Sequence, residues 1–177
     1  MADTEQDCRI RAAALAALVR QGTPADAREA WTTATGDPDP AVRRRAAELT
    51  PLVPAPVPDP LLSMLGDAEP LVLEAACWAA GEVAWSGPHR ENVVTGVIHA
   101  AAHRDPLVRE AAVAALGALG DPEGLPAVLA ACTDRPAVRR RAVLALAAFD
   151  GPEVEAALAA ALGDRDWQTR QAAEDLL

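Results

Sequence analysis

The sequence predicts an all-α fold, a right-handed α-solenoid of about six short helical hairpins. Three observations carry that expectation: a motif that recurs about every 30 residues, a one-sided apolar stripe after each copy, and a composition dominated by Ala. The motif runs acidic residue, often Pro, any residue, Val, Arg. It reads Asp39-Pro40-Ala41-Val42-Arg43 and Asp105-Pro106-Leu107-Val108-Arg109, with Arg135-Pro136-Ala137-Val138-Arg139 a close relative. Weaker copies are Asp7 to Arg11, Glu69 to Leu73 and Asp166 to Arg170. The anchors at 10, 42, 72, 108, 138 and 169 are 32, 30, 36, 30 and 31 residues apart.

Each copy reads as the start of a helix. Asp39 or Asp105 caps the first amides, and Pro follows at the first helical position, where its missing N–H costs nothing. Apolar residues then return every three or four positions: Val108, Ala111, Ala112, Ala115, Leu116 and Leu119 in one copy, Val138, Ala142, Ala145, Leu146 and Phe149 in the next. These second-type helices are expected near 8–20, 40–50, 70–84, 106–119, 136–149 and 167–177. Between them lie shorter apolar stretches, such as Leu125, Val128 and Leu129 after Asp121-Pro122, and Val154, Leu158 and Leu162 before Gly163, a candidate left-handed stop. Two helices per repeat cannot enclose a core, so each must shelter against its neighbours, giving one domain over 1–177.

Composition narrows the function. The chain has 177 residues, a formal charge of −10, no Tyr and a single Phe, Phe149. All 16 basic residues are Arg. Non-specific nucleic-acid affinity comes from cations displacing counterions, so this balance argues against DNA or RNA. No apolar run reaches the ~20 residues of a membrane span, and Met1 to Arg11 lacks a signal-peptide core. Cys8, Cys77 and Cys132 are odd in number and sit in apolar stretches, where they read as reduced structural thiols of a cytoplasmic protein.

The Asp-Pro-x-Val-Arg-x-x-Ala-Ala core resembles the second-helix signature of HEAT repeats, and most closely the bacterial phycobilin-lyase-type HEAT-like repeats. The resemblance implies that Arg11, Arg43, Arg109, Arg139 and Arg170, with Asp39 and Asp105, form a structural ladder in which Arg meets acidic residues or carbonyls of adjoining turns. It also implies a binding surface on the concave face, which second-type helices line.

Three places break the repeat. Pro51, Pro54, Pro56, Pro58 and Pro60 end the second copy's helix near Thr50 and imply an extended, stiff connector over 51–60 before Leu61. The 36-residue spacing adds one to two helical turns around Trp85 to His103 and gathers His89, His99 and His103; His99 and His103 share a face, yet no Glu or Cys completes a metal site there. The third is Trp78, which falls outside the buried stripe Val72, Ala75, Ala76, Ala79, Ala80 and Val83. Packing over a neighbour's small-residue core is its favoured reading in so Ala-rich a chain. The alternative places it in the groove beside Glu74 and Glu82, near Arg44, Glu48, Glu110 and Arg140 at matching positions.

No phosphate-binding Gly loop, nucleophile elbow or Cys-x-x-Cys pair occurs, so no catalytic residue, metal or cofactor is expected. HEAT-like deoxyhypusine hydroxylases bind iron through His-Glu pairs, whereas the three histidines here precede Arg, Ala and Arg. HEAT-like DNA glycosylases use a basic concave face, a poor match to an acidic chain. The expected role is a non-enzymatic scaffold or adaptor binding another protein or peptide, with a basic segment the partner an acidic groove would favour. The second expectation is an accessory or maturation subunit, a lyase-like chaperone for a cofactor-bearing enzyme. The apolar last turn at Leu176-Leu177 adds the expectation of weak self-association through the terminal repeats.

Overall fold

A computed structural model describes residues 2–56 and 58–177, with side chains from residue 6 onward; Met1 and Val57, the latter inside the proline-rich connector, lie outside the described residues. Eleven α-helices follow one another: α1 (Ala2–Gln21), α2 (Pro24–Thr35), α3 (Pro40–Leu49), α4 (Pro58–Met64), α5 (Pro70–Glu82), α6 (Gly87–Ala100), α7 (Pro106–Leu119), α8 (Leu125–Ala131), α9 (Pro136–Ala145), α10 (Pro152–Ala161) and α11 (Trp167–Glu174). The described residues contain no strand.

The odd-numbered helices pack in series, α1 on α3, α3 on α5 and so on to α11, while the even-numbered helices form a second layer beside them. The units are therefore five hairpins behind a single leading helix, α1, rather than six complete hairpins. A single cluster of buried side chains, mostly Ala, Val and Leu, runs along the array between the layers.

Local chemistry explains the helix starts. Asp39, Asp105 and Asp166 accept hydrogen bonds from Ala41, Leu107 and Thr169 backbone N–H, and Pro opens nine of the helices at their first or second position. The sharpest stop is Gly120, whose φ of 58° lets its N–H close on the Leu116 carbonyl. Gly163 is not left-handed; the chain turns there through bonds from Gly163 and Asp164 N–H to the Ala160 and Ala161 carbonyls.

The connector also departs from its expected course. Thr50–Leu52 forms a turn of 3-10 helix rather than extended chain, Val53 is buried, and α4 already begins at Pro58. Pro51 is tolerated because it opens that turn, and the chain reverses through Ala55 at φ 47°. The added length in the fourth unit goes into α6, twice as long as α4 or α8, and into the loop that tucks Trp85 under α5, where its Nε1 donates to the Ala80 carbonyl at 3.0 Å.

Small side chains set the spacing of the odd-numbered layer. A Cβ at Gly81 would sit 3.2 Å from the Ala115 Cα, and one at Gly117 would sit 2.9 Å from the Ala145 Cα. Helices this close leave no room for a methyl group at either position.

Candidate functional site: a groove across the odd-numbered helices

Stacking places the arginine one residue after each anchor against the unit that follows. Arg43 reaches Asp67 through Nε and Nη2 at 2.7 and 3.0 Å; Arg109 reaches Asp134 the same way at 2.6 Å for both; Arg139 reaches Asp164 at 2.8 Å for both. Arg11 makes the same two-pronged contact with Asp37 at 2.8 and 2.9 Å. The third nitrogen of Arg43, Arg109 and Arg139 donates back to a carbonyl of its own hairpin turn: Asp37, His103 and Asp134 respectively. Arg170 keeps only that backbone contact, to the Asp164 carbonyl. Each aspartate also receives a backbone N–H at the start of the next helix: Asp37 from Asp39, Asp67 from Glu69, Asp134 from Arg135 and Asp164 from Asp166. Charge-assisted, two-pronged bonds favour the ionised carboxylate. The arginine hydrogen bonds accordingly hold Asp37, Asp134 and Asp164 below the usual carboxylate range.

One rung is absent. Leu73, buried, stands where α5 would carry the arginine, and His103 stands where the aspartate would be; its Nδ1 accepts the Asp105 N–H at 3.1 Å, the same backbone task. This occupies one nitrogen of the ring that shares a face with His99. Among the described residues no group of three His, Cys, Asp or Glu side chains could hold a metal ion. The Cys77 thiol is pushed up to about 12 by burial and that of Cys132 to about 11, so neither supplies a thiolate near neutral pH.

A groove of about 420 Å³ crosses α3, α5, α7 and α9. Its floor is Ala75, Gly81, Ala111, Ala114, Ala115 and Ala118, and Leu71 and Leu107 border it. Trp78 stands in it with 47% of its surface exposed, so it does not pack over a neighbour's core as favoured above. The reason lies in the adjoining helix: at the positions matching Trp78 and Glu82, α7 carries Ala114 and Ala118, too small to cover the indole. Glu74, Glu82, Arg44, Glu48 and Glu110 all line the same groove.

Arg140 does not. Its guanidinium hydrogen-bonds Gln168 on α11, and Arg141 enters the groove instead, with Nη2 3.7 Å from Glu110 Oε1. Glu48 is held by Arg44 and Arg45 at 3.0 and 2.9 Å. Glu74 and Glu82, one turn to either side of Trp78, make no ion pair among the described residues. Four carboxylates against the two guanidiniums of Arg44 and Arg141 leave the groove net acidic.

Sequence reasoning passed over two tryptophans. Trp31 is wholly buried, its Nε1 shared between the Ala46 carbonyl and Thr50 Oγ1 at 3.0 and 3.1 Å, and Trp167 is mostly exposed on α11. Among the described residues no helix is long and apolar enough to cross a membrane.

The stacked hairpins define an α-solenoid repeat protein, an architecture whose extended surfaces serve binding. The family model for HEAT repeats matches residues 58–137 and that for the PBS lyase HEAT-like repeat matches residues 138–164. The chain belongs to the HEAT-repeat family, with PBS-lyase-type repeats among its units. No curated protein matches it. Similar solved structures include a designed armadillo repeat protein in complex with the peptide (KR)4, 15% identical, with a TM-score of 0.71 over 97% of this chain and 90% of that one. An engineered protein is 18% identical with a TM-score of 0.69, covering 97% and 87%. Computationally designed armadillo repeat proteins for modular peptide recognition are 15% identical with a TM-score of 0.68, covering 99% and 92%. At these identities the likeness is one of fold.

Proposed function

We propose that the chain is a non-enzymatic scaffold or adaptor whose groove over α3 to α9 holds a basic stretch of another protein. The observation that carries this is the half-exposed indole of Trp78 on an Ala floor, flanked by two carboxylates that no residue of the chain neutralises. An indole face attracts a guanidinium or ammonium with about 0.5–2 kcal/mol, and Glu74 and Glu82 are placed to receive the charge at its edges. Aromatic residues in partly desolvated pockets are the common anchors of protein interfaces. Arg44 and Arg141, each already paired with a groove glutamate, keep the site from being uniformly acidic and give a bound segment a register. The designed relative's (KR)4 complex is a property of that protein; here the basis is the chemistry around Trp78.

A fluorescently labelled Arg-rich peptide titrated against the full chain tests the reading by anisotropy. Trp78→Ala is expected to weaken binding about tenfold or more, in line with the truncation of an interface anchor, while the melting temperature stays within a degree or two. Equal binding by the wild type and Trp78→Ala would remove the groove from the account.

A further inference from the structure

We propose that α1 carries a self-association face, and that a second copy of this chain packs its own α1 there, antiparallel across a two-fold axis. The observation is a comparison of equivalent positions. Ile10, Ala14 and Leu18 of α1 correspond to Val108, Ala112 and Leu116 of α7 and to Val138, Ala142 and Leu146 of α9. Those six are sealed, none more than 1% exposed, whereas Ile10 is 58% and Leu18 43% exposed and Ala14 is exposed as well. The cause is architectural. α7 and α9 each pack against the first-type helix of their own hairpin, α6 and α8, and α1 has none among the described residues. A cleft of about 430 Å³ runs beside it, with Ala14 and Leu18 on one wall and Glu29 and Ala30 of α2 on the other.

The stripe is matched to itself. Ala14 lies midway between Ile10 and Leu18, so a two-fold axis through Ala14 sets Ile10 of each copy against Leu18 of the other. The small side chains of Ala13, Ala14 and Ala17 allow close approach at the axis, and no charge falls in the stripe to meet its like. The borders carry opposite charges: Arg20 at the end of α1 and Glu29 on α2, each without an ion-pair partner among the described residues. The patch is far smaller than the ~1,200–2,000 Å² of a standard stable interface, so the dimer is expected to be weak and concentration-dependent.

Sedimentation of the full chain from about 10 μM to about 1 mM, a range suited to weak interfaces, should show a monomer–dimer equilibrium. Leu18→Glu should abolish it, and Trp167→Glu at the far end of the array should leave it intact. Because the axis passes through Ala14, Ala14→Cys should form an intermolecular disulfide under mild oxidation, and Ala156→Cys on α10 should not. A chain that is monomeric throughout, or a dimer lost in Trp167→Glu and kept in Leu18→Glu, would overturn the proposal. So would equal cross-linking at both cysteines, which also decides the matter if Leu18→Glu fails to fold.

Discussion

The junction between α5 and α7 and the junction between α9 and α11 solve the same stacking problem differently. At the second, Arg139 and Asp164 are nearly sealed, the arginine side chain at 7% exposure and the carboxylate at 15%, and they lock the two units with three charge-assisted bonds counting the backbone carbonyl. At the first, both members of the pair are replaced together: Leu73 fills the arginine's place and His103 takes over the aspartate's backbone bond. That junction keeps a tight approach of helices, with Gly81 laid against Ala115. The difference teaches that the rung is one device for fixing register, and that apolar contact serves where both charges are withdrawn at once. Removing one charge alone is a different matter, because it strands its partner.

That contrast can be broken from either side. The largest effect is expected from Leu73→Arg, which puts a cation into a sealed site with no carboxylate opposite: a loss of about 4 kcal/mol in urea unfolding. Adding His103→Asp should restore most of it, giving a strong coupling in a double-mutant cycle; no recovery would mean that the α5–α7 junction cannot accept a rung. Arg139→Ala comes next, at about 2–3 kcal/mol, since it orphans the part-buried Asp164. Acid provides the third test. The native carboxyls of Asp134 and Asp164 are depressed below their ordinary value of 3.8, so their contribution is full above about pH 4 and is lost as the pH falls through the depressed native values. The urea midpoint should hold between about pH 7 and 5 and drop below about 4, less steeply when Arg139→Met and Asp164→Leu remove a rung together. The smallest effect belongs to Arg11→Ala, whose side chain is 42% exposed, so solvent screens the pair and a barely altered midpoint is expected.

The architecture was legible because it is written redundantly: the Val-Arg anchors, the Pro starts and the one-sided stripes all state one period. The ladder's acidic half was harder to see. Attention falls on Asp39 and Asp105, which cap helices, while the arginines' partners are Asp37, Asp67, Asp134 and Asp164. The missed signal lay in the sequence, four or five residues before each anchor, with His103 in the same place before Val108. Trp78 was not decidable by that route. A stripe says which face a residue occupies, but its exposure depends on Ala114 and Ala118 of another unit. The exchange of Arg140 for Arg141 has a similar origin, because both are on neighbouring faces and Gln168, a unit away, draws one of them off. The 3-10 turn at Thr50–Leu52 was hidden because five prolines describe what cannot be helix interior and leave open how the chain turns.

Gly81 and Gly117 give the array a mechanical property. In a stack each contact is a pivot, and a wedge at one pivot swings everything beyond it as a door swings on a hinge pin. Inserting a single methyl at Gly117 would push on the Ala145 backbone, and the tilt it imposed would travel as a rotation of the last two hairpins. The width of the channel, and with it the length of extended polypeptide able to lie flush, is thus governed by two hydrogen atoms where other residues carry a carbon.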